Sequence, residues 1–140
     1  MKPILRWLMA AHVSIYRLTR GKLLSQLGAN AILLLDSKGR KTGVQRTTPL
    51  VYQRDGNNYI VVASAGGAPS HPAWYFNLKA HPRTTIQVVD QIIPVVAEEA
   101  NVDEWARLWT ALIARAPQFR DYQQKTNRTI PLMVLKPALA

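Results

Sequence analysis

Ala31-Ile-Leu-Leu-Leu-Asp36, Ser37-Lys-Gly-Arg-Lys-Thr-Gly-Val-Gln-Arg46 and Thr47-Thr-Pro-Leu-Val-Tyr-Gln-Arg54 follow one another, and their reading decides the fold. The first is a continuous apolar run of strand length and the third a second strand, so the middle stretch is a turn between strands. It holds four cations within ten residues, and Gly39 and Gly43 bracket Arg40-Lys41-Thr42. Both glycines can take positive φ and so expose consecutive backbone N–H groups. Arg40, Lys41, Arg46 and the Thr42 hydroxyl add donors suited to phosphate or carboxylate oxygens. Cationic turns also guard hairpins that bind nothing, so the turn alone does not assign a function.

Downstream, Asp55-Gly56-Asn57-Asn58 is a hairpin signal, and Tyr59–Ser64 is the return strand, rich in β-branched residues. That strand runs into Ala65-Gly66-Gly67-Ala68-Pro69, where paired glycines permit close approach of a ligand to the backbone. Ser70–Lys79 reads as a helix with Ser70 near the N-cap, Pro72 in the first turn and a stop at His81-Pro82. Trp74, Tyr75 and Phe76 are each turned about 100° from the next, so at least one faces a groove or solvent. Thr84–Val89 and Ile92–Ala97 form a second hairpin through Asp90-Gln91, with Pro94 placing the latter strand at an edge or bulge. Asn101–Ala116 is a helix opened by Asn101 or Asp103, and its Trp105, Leu108, Trp109, Leu112 and Ile113 make a core-facing stripe. Pro117 closes it, Gln118–Tyr122 is a short helical segment, and Ile130–Lys136 is the last strand.

Upstream, Met1–Leu24 is an amphipathic helix frayed by Gly21, with Lys2, Arg6, Arg17, Arg20 and Lys22 among its apolar residues. It is too short to span a bilayer, which needs about 20 apolar residues. Two placements stay open: a lid packed on its own domain, the favoured one, or a helix lying on a membrane surface. Six short, mostly antiparallel strands with helices at the start, middle and end imply a small barrel, mainly β with α (α+β), as one domain over residues 1–140.

The chain has no cysteine, which excludes thiol chemistry and Cys-based zinc and is compatible with an intracellular home. Its 18 Lys and Arg against 8 Asp and Glu give a net charge of +10 and point to an anionic partner. His12, His71 and His81 lack metal-ligand spacing, no Gly-x-Ser-x-Gly elbow appears, and the basic turn lacks the Walker spacing. No metal is expected. What remains is a protein that holds a coenzyme by its anionic tail and lets it supply the chemistry. The rival is a single-stranded nucleic acid, which a basic surface with interleaved aromatics also suits; the clustering of cations at one loop argues against it.

Gly39-Arg40-Lys41-Thr42-Gly43, Arg46-Thr47-Thr48-Pro49-Leu50, Ala63-Ser64-Ala65-Gly66-Gly67-Ala68 and His71-Pro72-Ala73-Trp74-Tyr75-Phe76-Asn77-Leu78-Lys79-Ala80 resemble, in order and spacing, the deazaflavin (F420)-dependent nitroreductase and F420H2-dependent quinone reductase family. The likeness runs from about Ala31 to Pro137 and takes in Asp121-Tyr122-Gln123 and Ile130-Pro131. It implies a split β-barrel of the FMN-binding type and coenzyme F420, with FMN the weaker choice. It also implies hydride transfer to a small electron-poor acceptor such as a quinone, nitroaromatic or enone. By the same resemblance Arg40, Lys41, Thr42 and Arg46 hold phosphate and oligoglutamate tail. Thr47, Thr48, Pro49, Leu50, Val51, Val62, Ala63, Ser64 and Ala65 line the ring pocket, and Ala73, Trp74, Tyr75, Phe76 and Asn77 close it. Ser64 and Tyr122 orient the acceptor, with Trp7, Tyr16 and Phe119 beside it.

The chain departs from the family at Ala65, where relatives commonly carry Lys, at Val51, and at Ala116 and Phe119 flanking Pro117, where tyrosines are frequent. A non-catalytic flavin or deazaflavin carrier is the alternative in keeping with those losses. A cytoplasmic protein, at the inner membrane face if the first helix lies on lipid, and a monomer or homodimer, complete the expectation.

Overall fold

The computed structural model describes residues 2–28 and 30–138. Helix α1 (Pro3–Leu18) is followed by β1 (Gln26–Leu27), β2 (Asn30–Lys38), β3 (Gln45–Asp55) and β4 (Asn58–Val62). Helix α2 (Ala73–Ala80), β5 (Arg83–Val88), β6 (Gln91–Glu99), α3 (Val102–Arg115), α4 (Gln118–Gln124) and β7 (Leu132–Pro137) complete the order. Strands β2-β3-β4-β7-β6-β5 are antiparallel neighbours, and Leu34↔Gln87 and Leu35↔Ile86 pair β2 with β5 to close a six-stranded barrel. Closure leaves no long unpaired edge. The expected α+β split-barrel architecture is what the chain adopts, with β1 as a short addition.

Because side chains alternate across a strand, the closed sheet makes two apolar layers. Leu33, Leu35, Val61, Ile86, Val95, Met133 and Leu135 point inward with Trp74, Tyr75 and Leu78 of α2, so α2 plugs one mouth of the barrel. On the outside, Ile60, Val62, Leu132 and Val134 meet Leu108 and Leu112 of α3 and Phe119 of α4. Ile32 and Leu34 meet Tyr16 of α1 on another outer face.

Several boundaries differ from expectation for identifiable reasons. Helix α1 ends at Leu18 rather than Leu24, because the Gly21 amide closes back on the Tyr16 carbonyl at 2.8 Å and the chain then turns into β1. The expected start at Met1 lies outside the described residues. Ser70 does not cap α2; Pro72 is the N-cap, and no side chain caps it. Of the two candidates for α3, Asn101 is the cap, forming a reciprocal capping box with Glu104. The second hairpin turns at Val89-Asp90, one residue early, with Val89 at φ 58°. Pro94 lies inside β6, paired with Thr85, not on an edge. Its carbonyl takes the Ala138 amide, so its missing N–H faces the point where β7 runs out. Trp105 and Trp109 are only partly buried: they stack with centroids 5.0 Å apart over the outer core, and the Trp105 indole donates to the Ile130 carbonyl.

Candidate functional site

The turn between β2 and β3 is tighter than its sequence implies. Gly43 has φ 72°, but Gly39 does not enter the positive-φ region. Space is tight at Gly39 instead: a Cβ there would stand 2.6 Å from Thr42 Oγ1 and 3.3 Å from the Val44 carbonyl oxygen, so a side chain would displace the Thr42 hydroxyl. Most of the loop amides face inward. Gly39 N–H donates to the Val44 carbonyl (2.8 Å), Gly43 N–H to the Gly39 carbonyl (2.8 Å), and Val44 N–H to Thr42 Oγ1 (3.2 Å). Among the described residues only the Lys41 and Thr42 amides in the 39–44 segment lack a protein acceptor. The expected row of exposed amides is therefore corrected to two, and side chains must supply the remaining donors. Since Thr42 Oγ1 accepts from Val44, its hydroxyl hydrogen is left to donate outward.

The loop is held against α2 by one residue. Asn77 is buried, accepts the Arg40 N–H at 3.0 Å and donates to Ser37 Oγ at 3.4 Å. The Arg40 guanidinium lies over the Phe76 ring, 4.4 Å from its centroid. Between loop and helix opens a recess of ≈ 350 Å³ lined by Gly39, Arg40, Lys41, Thr42, Arg46, His71, Ala73, Phe76 and Asn77. Among the described residues Arg40, Lys41 and Arg46 have no acidic partner: Asp36, Asp55, Glu98 and Glu99 pair with Arg17, Arg107, Lys136 and Lys79 elsewhere. Unpaired cations converging on a concavity produce a field that attracts anions.

Behind the recess stands Arg128, on the segment between α4 and β7. Its Nε donates to the Ala68 carbonyl (2.9 Å), Nη2 to the Ser64 carbonyl (2.7 Å), and Nη1 to the Ala63 carbonyl (3.1 Å) and His71 Nδ1 (2.8 Å). This fork holds a turn in which Ala65, Gly66 and Gly67 have φ of 47°, 65° and 85° in succession. Ala65 is the costly member, since a Cβ disfavours that region. Gly67 is also too close to α4 for a side chain, as a Cβ would come 2.7 Å from the Tyr122 carbonyl oxygen. His71 has a pKa below its ordinary value, because burial disfavours the charged ring and the Arg128 charge adds to this, against a smaller opposing pull from Glu99. Nearby, Glu99 accepts from the Tyr75 hydroxyl and from Lys79. Burial, then the bond to Glu99, pushes the Tyr75 phenol up to about 12.

The recess brings together Arg40, Lys41, Thr42, Arg46, Ala73, Phe76 and Asn77 of the expected coenzyme residues. The others lie elsewhere. Trp74 and Tyr75 are buried in the barrel plug, and Phe76 is the one of the three aromatics that turns toward the recess. Thr47–Val51 do not line the recess, and their side chains alternate between the two faces of β3. Leu50 joins the inner core, and by that alternation Thr48 shares its face. Thr47 bonds Asp36 beside α1, Val51 packs outside, and Pro49 shares that outer face. Val62 and Ala63 are buried in the outer and inner layers respectively. Ala65 is exposed on the turn, and Ser64 beside it is nearly buried, its carbonyl held by Arg128.

Trp7, Tyr16 and Phe119 of the expected acceptor residues do not gather about one ligand. Tyr16 is fully buried, its hydroxyl shared between the carbonyls of Ile32 (3.0 Å) and Gln87 (3.3 Å) and accepting the Val89 amide at 2.8 Å. Trp7 stands nine residues earlier, about 180° around the helix, and is 78% exposed. The two cannot cover one ligand, and the expected lid over the acceptor is corrected accordingly. Phe119 is buried in the outer core, whereas Tyr122 is half-buried and packs edge-on against it at 5.7 Å. His71 and Arg128 are the residues that sequence reading missed. His71 stood inside the matched helix motif, but Arg128 lies in an unpatterned loop and meets its partners 57 to 65 residues away.

A family profile described as F420H(2)-dependent quinone reductase matches residues 8–137. An F420H(2)-dependent quinone reductase of Mycobacterium tuberculosis is 42% identical over 132 residues, 91% of this chain and 89% of that protein. A solved F420-H2-dependent reductase superposes with a TM-score of 0.69 at 37% identity, covering 75% of this chain and 93% of its own. Another solved structure, described as a domain-swapped dimer, gives a TM-score of 0.73 at 32% identity over 91% of this chain and 94% of its own.

Proposed function

This chain belongs to the F420H(2)-dependent quinone reductase family, and we propose that the recess between the β2–β3 loop and α2 holds the anionic part of its coenzyme. The protein is an F420-dependent oxidoreductase acting on quinones. The observation that carries the placement is the convergence of Arg40, Lys41 and Arg46, all without acidic partners among the described residues, on one concavity. That donor set fits a phosphorylated, carboxylate-bearing group. When bound, the reduced deazaflavin supplies the hydride that passes to the acceptor.

The chain's own part is binding and orientation. Arg40, Lys41 and Arg46 compensate phosphate and carboxylate charge, while the Thr42 hydroxyl and the Lys41 and Thr42 amides complete the donor shell. Asn77 keeps this loop at a fixed distance from α2, so the donors are arranged before the ligand arrives. Ser64 and Tyr122 orient the acceptor: Ser64 leads into the Ala65–Gly67 turn, and α4, which carries Tyr122, packs directly against that turn. The 1–140 chain works as a single domain in this reading.

Titration of F420 and FMN into the protein, followed by fluorescence, tests the site. The Lys41→Ala/Arg46→Ala double variant is expected to weaken F420 binding by about a hundredfold, since two charge-assisted contacts are lost. Unchanged affinity overturns the placement. Stopped-flow oxidation of bound reduced coenzyme by menadione, with no acceleration over free coenzyme, would instead favour the carrier reading.

Helix α1 supports a place for the protein at an anionic membrane surface in the cell interior. No helix among the described residues is long and apolar enough to cross a membrane. Yet Ile4, Trp7 and Leu18 lie on the arc away from Tyr16, with Leu8 on its flank, and they are 66%, 78%, 84% and 62% exposed in that order. Lys2, Arg6, Arg20 and Lys22 bring positive charge to the same segment. Co-sedimentation with anionic but not zwitterionic vesicles, lost in Trp7→Ser/Leu8→Ser, is the expected result. Self-association abolished by the same substitutions would assign that face to a second copy of the chain instead.

A further inference from the structure

Building on the recess as the coenzyme site, we propose that His71 is a further coenzyme-contacting residue. Arg128 holds its ring in the tautomer that carries hydrogen on Nε2, and that N–H donates to an oxygen of the bound coenzyme. The argument begins with the guanidinium, which has five N–H donors and no acceptor. At 2.8 Å from Arg128 Nη1, His71 Nδ1 can only be accepting, so it carries no hydrogen. A neutral imidazole then bears its proton on Nε2. Protonation of both nitrogens would set two donors against each other, in keeping with the lowered pKa of this ring.

The ring is also held in position. Tyr75 and Phe76 of α2 lie 4.6 Å and 5.7 Å from it, centroid to centroid. The ionisable groups that face it are Tyr75 from α2, Glu99 from β6 and Arg128 from the segment after α4. Among the described residues the ring makes its hydrogen bond at Nδ1 and none from Nε2, while the Tyr75 hydroxyl and Lys79 both donate to Oε1 of Glu99. His71 nevertheless lines the same recess as Arg40, Lys41 and Arg46. A neutral donor in that position adds directionality where three cations already supply charge. Arg128 is correspondingly a positioning residue: it fixes the imidazole and, through the Ala63, Ser64 and Ala68 carbonyls, the strained turn beside it.

The first measurement needs no coenzyme. Imidazole 15N–1H correlation spectra of the ligand-free protein should show His71 with a bare Nδ1 and hydrogen on Nε2; hydrogen on Nδ1 overturns the proposal. The second uses His71→Asn, whose side-chain oxygen can still accept from Arg128 while the Nε2 donor is gone. It should retain the wild-type unfolding midpoint and bind F420 about tenfold more weakly. Binding at wild-type affinity overturns the proposal. Should the Asn variant not fold, His71→Gln, which restores a donor near the Nε2 position, is expected to bind more tightly than His71→Ala and closer to wild type; equal losses in Gln and Ala overturn the proposal. Comparison with the phosphate-free deazaflavin nucleoside locates the acceptor: a loss confined to F420 marks an oxygen of the phosphate-bearing tail, and a loss for both marks an oxygen of the shared ring and polyol portion. If instead Lys41→Ala/Arg46→Ala leaves F420 affinity intact, the recess reading fails, whereas the tautomer measurement stands or falls independently.

Discussion

Arg128 and the trio Arg40, Lys41 and Arg46 border one recess, but they use their charge in opposite ways. Arg128 directs its N–H groups at three backbone carbonyls and an imidazole, and burial lowers its pKa from the ordinary value. The trio is exposed and has no acidic partner among the described residues. An internally satisfied cation contributes to the fold; an unsatisfied one remains available to a ligand. The comparison separates arginines that look alike in the sequence into a structural role and a binding role.

Arg128→Met sharpens the contrast most. It leaves the Ala63, Ser64 and Ala68 carbonyls and His71 Nδ1 without their donor, and the unfolding free energy should fall by about 3 kcal/mol in a urea titration. A loss no larger than that of Lys41→Ala/Arg46→Ala would erase the distinction. The double variant should in turn stay within about 0.5 kcal/mol of wild type in the same titration, because exposed charges with no partner add little to stability.

The next test is acid titration of stability. His71 has a folded pKa below its ordinary 6.5, so the unfolded chain binds the extra proton. The stabilisation that follows is complete above that value and is lost as pH falls below it toward the lowered folded pKa. His71→Asn should therefore flatten the urea midpoint between about pH 7 and about pH 5 relative to wild type. Asp55, whose carboxyl is held low by its hydrogen bonds from Arg107, acts further down: its contribution is present above the ordinary 3.8 and is lost as pH falls through the depressed folded value. His71→Asn and wild type should share that lower limb. The smallest effect is expected at Trp7→Ala, which should alter stability by less than about 0.5 kcal/mol, since this side chain buries almost nothing in the fold.

How much was legible follows from the range of the interactions involved. Asp55-Gly56 announced its hairpin because a two-residue turn depends on its own residues, and the observed register has Asp55 opposite Asn58. Asn101 announced a cap for the same reason. In the site, the cations of the β2–β3 loop were readable as a cluster because they are neighbours in the chain. Gly39 was less legible: its φ lies outside the positive region, and what crowds it is Thr42, which only the folded loop brings close. The continuous run Thr47–Val51 reads as one unit in the sequence, whereas strand alternation divides its side chains between two faces. Tyr16 and Trp7 were grouped by chemistry and separated by helical phase.

By itself the sequence determined which segments become strands and helices, that a cationic loop joins two of them, and, through motif order and spacing, the family. Those properties rest on periodicity, turn residues and covalent neighbourhood, which act over a few positions. Only the tertiary structure decided that β2 meets β5 to close the barrel, that Asn77 pins the loop to α2, and that Arg128 takes hold of His71. Each joins residues tens of positions apart, and which donor reaches which acceptor is settled by the packing of the two apolar layers, for which no local pattern exists.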